Sequence, residues 1–152
     1  MRLIVILMML VNSSFHFQQS SCGCSPPIRE QKTSWGKDWV IITESENLKL
    51  LQGKAVSTRE DATLANVLVE VYDQPDILLL DWKERSARIS EQHRIAACVT
   101  GKDGRFCFRK IPPGKYELRC SRSGEWDPTS VIVNIGSKNE KASVTIWMRL
   151  SH

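Results

Sequence analysis

From Leu48 onward, apolar and polar positions alternate with a period of two, in short runs broken by turns. Such runs are half-buried strands, and several in a row predict an antiparallel sandwich. Leu48 to Ser57 reads as a strand with Gly53 inside it. Val67, Val69 and Val71 alternate with Leu68, Glu70 and Tyr72. Ile95, Ala97 and Val99 form the next inward set, followed by Phe106 and Phe108. Tyr116, Leu118 and Cys120 face inward against Glu117 and Arg119, and Val131, Val133 and Ile135 follow. The last run turns Val144, Ile146, Met148 and Leu150 inward, and Thr145, Trp147 and Arg149 outward. Seven strands result. Turn signals separate most of them: Gly101-Lys102-Asp103-Gly104, Pro112-Pro113-Gly114, Ser123-Gly124 and Gly136-Ser137-Lys138-Asn139.

Residues 73–94 break this rhythm. Gln74-Pro75-Asp76 leads into the apolar Ile77-Leu78-Leu79-Leu80 and then a charged stretch from Asp81 to Arg94. Asp81 is a helix N-cap, and Arg85, Arg88 and Arg94 suit the negative end of the helix dipole. Trp82, Ala87 and Ile89 give an imperfect apolar stripe. The segment is predicted as a partly helical insertion between two strands. A few residues would suffice to join Tyr72 to Ile95, so the excess length marks either a binding surface or a cover for a sheet edge.

The N-terminus points to export. Arg2 precedes the apolar run Leu3 to Val11, and polar residues follow, as in a secretory leader. Nine residues make only ~14 Å of helix, about half of a bilayer core. Residues 1–21 are therefore expected to form a leader, cut after a position between 13 and 21. A lipid anchor on Cys22 is the weaker reading, because Gln19 stands where a lipoprotein signal needs an aliphatic residue. No later stretch has the ~20 apolar residues of a membrane span. Residues 22–47 read as an extended segment: Pro26-Pro27 favours an open chain, and Trp39 to Thr43 could add an edge strand. The sandwich itself is assigned to residues 48–150.

Four segments carry a family resemblance: Gln52-Gly53-Lys54-Ala55-Val56, Ala65 to Val71, Thr100-Gly101-Lys102-Asp103-Gly104-Arg105-Phe106-Cys107-Phe108, and Ile111-Pro112-Pro113-Gly114-Lys115-Tyr116-Glu117-Leu118. Together they resemble the carboxypeptidase regulatory-like domains, a group with a transthyretin-like (prealbumin-like) sandwich close to the carbohydrate-binding-like fold. The resemblance implies an all-β, seven-stranded antiparallel Greek-key sandwich, here with the insertion as a departure. Gly124-Glu125-Trp126 is another, at a turn where the family tends to have proline, glycine and an aromatic.

Catalytic chemistry is sparse. The histidines are His16, His93 and His152, and none begins a His-x-x-Glu motif. A carboxypeptidase zinc site, with two histidines and a glutamate, is not available, and neither an enzyme, a metal site nor a cofactor is expected. The formal net charge of +4 is too small for a nucleic-acid protein. Charge is unevenly spread, however. Residues 60–84 hold seven acids and one base, and residues 98–122 hold seven bases and two acids. Two complementary faces, or a partner surface, would explain this.

Among the cysteines, Cys98 and Cys107 attract attention. If Lys102-Asp103 is a two-residue hairpin tip, Val99 stands opposite Phe106 and Cys98 opposite Cys107. A cross-strand disulfide is then within reach. Cys120 reads as a small buried hydrophobe, and Cys22-Gly23-Cys24 as a site for terminal disulfides. The expected function is a secreted, periplasmic or extracellular non-catalytic binding module, with a glycan as ligand. The alternative is an accessory cell-envelope domain whose partner is an envelope protein. Trp82, Trp126 and Trp147 are the candidate ligand-binding residues, with Trp82 as the expected anchor.

Overall fold

The computed structural model describes residues 41–136 and 140–151, with side chains from Glu46 onward. The leader, Cys22-Gly23-Cys24 and Pro26-Pro27 lie outside the described residues. Eight strands are described: β1 (Ile41–Leu48), β2 (Leu51–Ser57), β3 (Leu68–Tyr72), β4 (Arg94–Val99), β5 (Arg105–Phe108), β6 (Gly114–Ser121), β7 (Thr129–Ile135) and β8 (Val144–Met148). A large sheet of five strands has the order β1-β7-β6-β3-β4, and a small sheet of three has the order β5-β2-β8. The fold is the expected all-β sandwich, with two differences. There is one strand more than the seven expected, and the pairs β1·β7 and β2·β8 are parallel.

The additional strand comes from splitting the expected Leu48 to Ser57 run. Leu48 ends β1 and Leu51 opens β2, and both side chains are buried. Lys49 and Leu50 are exposed and carry the chain from one sheet to the other. β1 itself is the edge strand suspected near Trp39 to Thr43, so the sandwich reaches back into the 22–47 segment.

The core lies between the sheets. Val69, Val71, Leu118, Cys120, Val131 and Val133 come from the large sheet, and Ala55, Phe106, Val144, Ile146 and Met148 from the small one. Burying each larger side chain contributes about 1.5–3 kcal/mol before entropy is counted. Gly53 has a packing reason. It lies opposite Phe106, and a Cβ there would come within 2.8 Å of Phe106 Cζ and overlap the Val144 carbonyl oxygen. Gly104, at φ 69°, closes the turn after Asp103 as expected, and its Cβ would strike the Ala55 carbonyl at 2.9 Å.

That turn is not the tip of a hairpin. Thr100 ties the end of β4 to the large sheet: its N–H donates to Val67 O at 2.9 Å, and its hydroxyl accepts from Val67 N at 3.0 Å. On the other side Ala55 N donates to Gly104 O at 2.9 Å, which draws β5 to β2 in the small sheet. The chain thus crosses between sheets at residues 101–104, and the assumed β4·β5 register does not form. Cys98 instead lies opposite Val69, and Cys107 opposite Gln52. A Cys98–Cys107 cross-strand disulfide is excluded by this pairing, and Cys98 is a buried thiol. The faces of β4 are also the reverse of those expected. Ala96, Cys98 and Thr100 are buried, whereas Ile95 is exposed and Ala97 and Val99 are half-buried. A register irregularity between Val71 and Tyr72 leaves Ile95 without a cross-strand partner on β3, and the remaining pairs set Cys98 inward beside Val69.

Candidate functional site

The two outer faces of the sandwich differ sharply, and the insertion makes the difference. It runs as a 3-10 turn (Pro75–Leu79), the helix α1 (Trp82–Arg88) and a second 3-10 turn (Ile89–Glu91). Asp81 caps α1 as expected, accepting from Lys83 N at 2.9 Å and Glu84 N at 3.0 Å. The expected stripe of Trp82, Ala87 and Ile89 does not face the core: no residue of α1 is buried. Pro75, Ile77, Leu78 and Gln92 anchor the segment instead. Arg85 binds α1 to the preceding turn by donating from Nη2 to the Leu78 and Leu80 carbonyls, at 2.7 and 3.1 Å.

Beneath the insertion, on the outer face of the large sheet, lies a buried charged cluster. Glu117 is 0% exposed. It accepts from Arg119 Nε at 2.6 Å and Nη2 at 3.0 Å, from Gln92 Nε2 at 2.8 Å and from Ser130 Oγ at 2.8 Å. Arg119 Nη2 also donates to Gln92 Oε1. Gln92 Nε2 reaches the Asp73 and Gln74 carbonyls at 3.2 Å as well, so one side chain stitches both ends of the insertion to the sheet. Glu70, also fully buried, accepts from Arg94 Nη1 at 2.8 Å. The Arg119 guanidinium stacks 3.9 Å from the Tyr72 ring centre. Lys115 pairs with Asp76 at the rim.

The electrostatics match this geometry. The hydrogen bond to Glu70 holds Arg94 above its usual pKa. Burial, with the Glu70 charge, pushes the Tyr72 hydroxyl up. Burial does the same to the Cys120 thiol, which is therefore unreactive. A carboxylate has about four acceptor positions, and Glu117 uses four. It has no spare capacity to abstract a proton or hold a cation. The cluster is a clamp that fastens the insertion.

Sequence reasoning placed Glu117 and Arg119 in water, because alternation assigns polar positions outward. A signal was present nonetheless. Opposite charges at Glu117 and Arg119 on one strand face, Glu70 on another, and the apolar Ile77 to Leu80 seeking a surface together describe a covered sheet.

The outer face of the small sheet is exposed at Lys54, Arg105 and Trp147, half-buried at Gln52, Cys107 and Thr145, and buried at Val56. Strand register lays out its side chains in rows. Lys54 stands between Arg105 on β5 and Thr145 on β8. Gln52 lies opposite Cys107, and Val56 opposite Trp147. Trp147 is 46% exposed and lies one diagonal from Lys54, within side-chain reach. Its outward position is the one alternation along β8 predicts.

The three candidate tryptophans do not converge. Trp82 is 57% exposed on the insertion over the large sheet, and Trp147 lies on the opposite face of the sandwich. Trp126 is half-buried against the core, with the Arg122 guanidinium 5.1 Å from its ring centre. A shallow cleft near Trp126 is lined by Arg59, Glu125, Leu150 and Ser151. Among the described residues, no three His, Cys, Asp or Glu side chains gather as a metal site, and no helix is long and apolar enough to cross a membrane.

No protein-family model and no curated protein matches the chain. Solved structures similar to it include the transthyretin of Sparus aurata, at 12% identity over 65% of this chain and 87% of that one, with a TM-score of 0.43. A streptococcal ancillary pilin is similar at 17% identity over 66% of this chain, with a TM-score of 0.42, and an (S)-allantoin synthase at 12% over 72%, with a TM-score of 0.43. The chain spans 28% of that pilin and 42% of that synthase.

Proposed function

We propose that this protein is a non-catalytic β-sandwich module that works outside the cytoplasm and binds glycans through the outer face of its small sheet. The observation that carries this reading is Trp147, nearly half-exposed, with Thr145 beside it on β8 and Lys54 on the diagonal of β2. An indole face packs on the C–H face of a pyranose, and neighbouring amide, hydroxyl and ammonium groups take up its hydroxyls. The motif order from Asp103-Gly104 to Tyr116-Glu117-Leu118 keeps the chain with the carboxypeptidase regulatory-like domains in this reading. A glycan array tests it. The protein should bind, Trp147→Ala should lose binding with an unchanged melting curve, and Trp82→Ala should retain it. Loss with Trp82→Ala alone would move the site to the insertion.

A second reading, an accessory domain acting by protein contact, is favoured by the opposite face. Leu79, Trp82, Ile89 and Ile95 are all exposed in or just after the insertion. Apolar residues in such number mark protein contact surfaces.

Export also bears on the cysteines. Cys98 and Cys120 are buried thiols on the large sheet, whereas Cys107 is half-buried on the outer face of the small one. In an oxidising compartment the partner left to Cys107 is Cys22 or Cys24. Non-reducing peptide mapping of exported protein should find Cys107 linked to the segment holding Cys22 and Cys24. A Cys107 that alkylates without reduction would remove that link.

A further inference from the structure

Positive charge without a carboxylate partner is densest around the small sheet. On the large-sheet side, where among the described residues Lys83 and Arg122 pair with no carboxylate and Arg85 bonds to carbonyls, four cations are matched: Arg119 with Glu117, Arg94 with Glu70, Arg88 with Glu91 and Lys115 with Asp76. Around the small sheet the cations are not. Lys54 and Arg105 stand directly opposite each other on its outer face, although like charges in register destabilise a strand pair. Lys102 lies in the turn before β5, and Arg109 and Lys110 lie in the turn after it. Among the described residues, no carboxylate pairs with Lys54, Lys102, Arg109 or Lys110. Arg105 has Asp103 at 3.6 Å, with both side chains largely in water, so that contact is worth little. Glu60, Asp61 and Glu140 are confined to the loops that follow β2 and precede β8. The folded chain thus holds two cations side by side, flanked by three more, beside an exposed indole.

We infer that the ligand of this face is an acidic polysaccharide, whose carboxylate or sulfate groups pair with Lys54 and Arg105 while one sugar ring stacks on Trp147. The inference rests on the glycan-binding reading above and narrows it to a chemical class. Two features select a polyanionic sugar over an acidic protein. Trp147 is the exposed large hydrophobic side chain of the three small-sheet strands, so the face lacks the apolar centre that a protein interface needs. Beside the buried Val56 and the half-buried Cys107, the polar groups of this face, Gln52, Lys54, Arg105 and Thr145, can bond to hydroxyl or anionic oxygen. The guanidinium of Arg105 offers a fork that fits a carboxylate or sulfate edge. Exposed pairs of this kind weaken as salt rises, so binding should fall with ionic strength.

The experiment uses the exported full chain and immobilised polymers. Polygalacturonate and heparin are the acidic probes. Fully methyl-esterified polygalacturonate and dextran are the neutral ones, and poly-glutamate and phosphatidylglycerol vesicles are the non-sugar anions. The acidic polysaccharides should bind most tightly. The double variant Lys54→Gln/Arg105→Gln should lose about tenfold or more, the scale of one charge-assisted hydrogen bond. Trp147→Ala should abolish binding. Thermal melts confirm that each variant is folded. Equal binding to neutral and acidic polymers, lost with Trp147→Ala and untouched by Lys54→Gln/Arg105→Gln, would overturn the acidic class and leave the glycan reading intact. Poly-glutamate or vesicles binding as tightly as the polysaccharides would overturn the inference in favour of a protein or membrane partner. No binding to any sugar would remove both readings together.

Discussion

Arg119→Ala is expected to destabilise the protein by ~3–5 kcal/mol, the cost of leaving a buried partner charge uncompensated. Arg119 is buried, and its guanidinium bonds to Glu117 and to Gln92 and covers the Tyr72 ring. Removing it leaves Glu117 fully buried, with only the neutral donors of Gln92 and Ser130. A domain of this size is typically stable by about 5–15 kcal/mol, so the loss is a large fraction of the whole. Urea melts give the number. The replacement Glu117→Leu/Arg119→Leu should cost less than Arg119→Ala alone, because exchanging both charges for apolar groups leaves neither stranded. A loss below about 1 kcal/mol for Arg119→Ala would mean that water already reaches Glu117, and that the pair behaves as a surface ion pair.

This clamp also changes the meaning of the insertion. By length, residues 73–94 looked free to bind a ligand, with Trp82 at the centre. Packing accounts for most of the segment: Ile77 and Leu78 are buried, and Gln92 reaches from the segment to Glu117. What the insertion leaves exposed is the apolar set around Trp82, which supports the protein-contact alternative. The glycan reading moves to the other sheet, where Lys54, Arg105 and Trp147 are exposed.

Most of the sandwich was legible because the core-facing positions of most strands are apolar and alternate with other residues. Val67, Val69 and Val71, then Val131, Val133 and Ile135, and then Val144, Ile146 and Met148 all face the core as their alternation predicts. Alternation failed for β4, where Ile95, Ala97 and Val99 and the intervening Ala96 and Cys98 are all apolar. Both faces then look alike, and the register with Val69 decides. It also missed that Lys102-Asp103 crosses between sheets, since a tight turn looks the same in a hairpin and in a crossing. The bonds that distinguish them, from Thr100 to Val67 and from Ala55 to Gly104, join residues far apart in the chain. The outward place of Trp147 was visible from its strand alone. The row of Lys54, Arg105 and Thr145 needed the pairing of three strands.

Phe106→Ala is expected to cost ~3–5 kcal/mol, whereas Arg105→Ala, one residue away, should cost less than ~0.5 kcal/mol. Phe106 is among the largest fully buried side chains, and its ring lies 6.3 Å from that of Phe108. Its site is shaped from both sides of the sandwich. Gly53 supplies the space opposite it on β2, and a Cβ there would already crowd Cζ. A truncated Phe106 therefore leaves a cavity that β2 cannot fill without moving its backbone, and the upper part of the range is expected. Arg105 points the other way, into water, with Asp103 as its weak partner. Its loss should scarcely change a urea melt, and relief from the like charge of Lys54 could even offset the lost contact. The pair of variants thus separates the two faces of β5 by stability and by binding: one should unfold the protein more easily at unchanged ligand chemistry, and the other should keep the fold and weaken the acidic ligand. Equal costs for the two would mean that β5 does not present Phe106 to the core, and that the row of Arg105, Lys54 and Thr145 is not a surface.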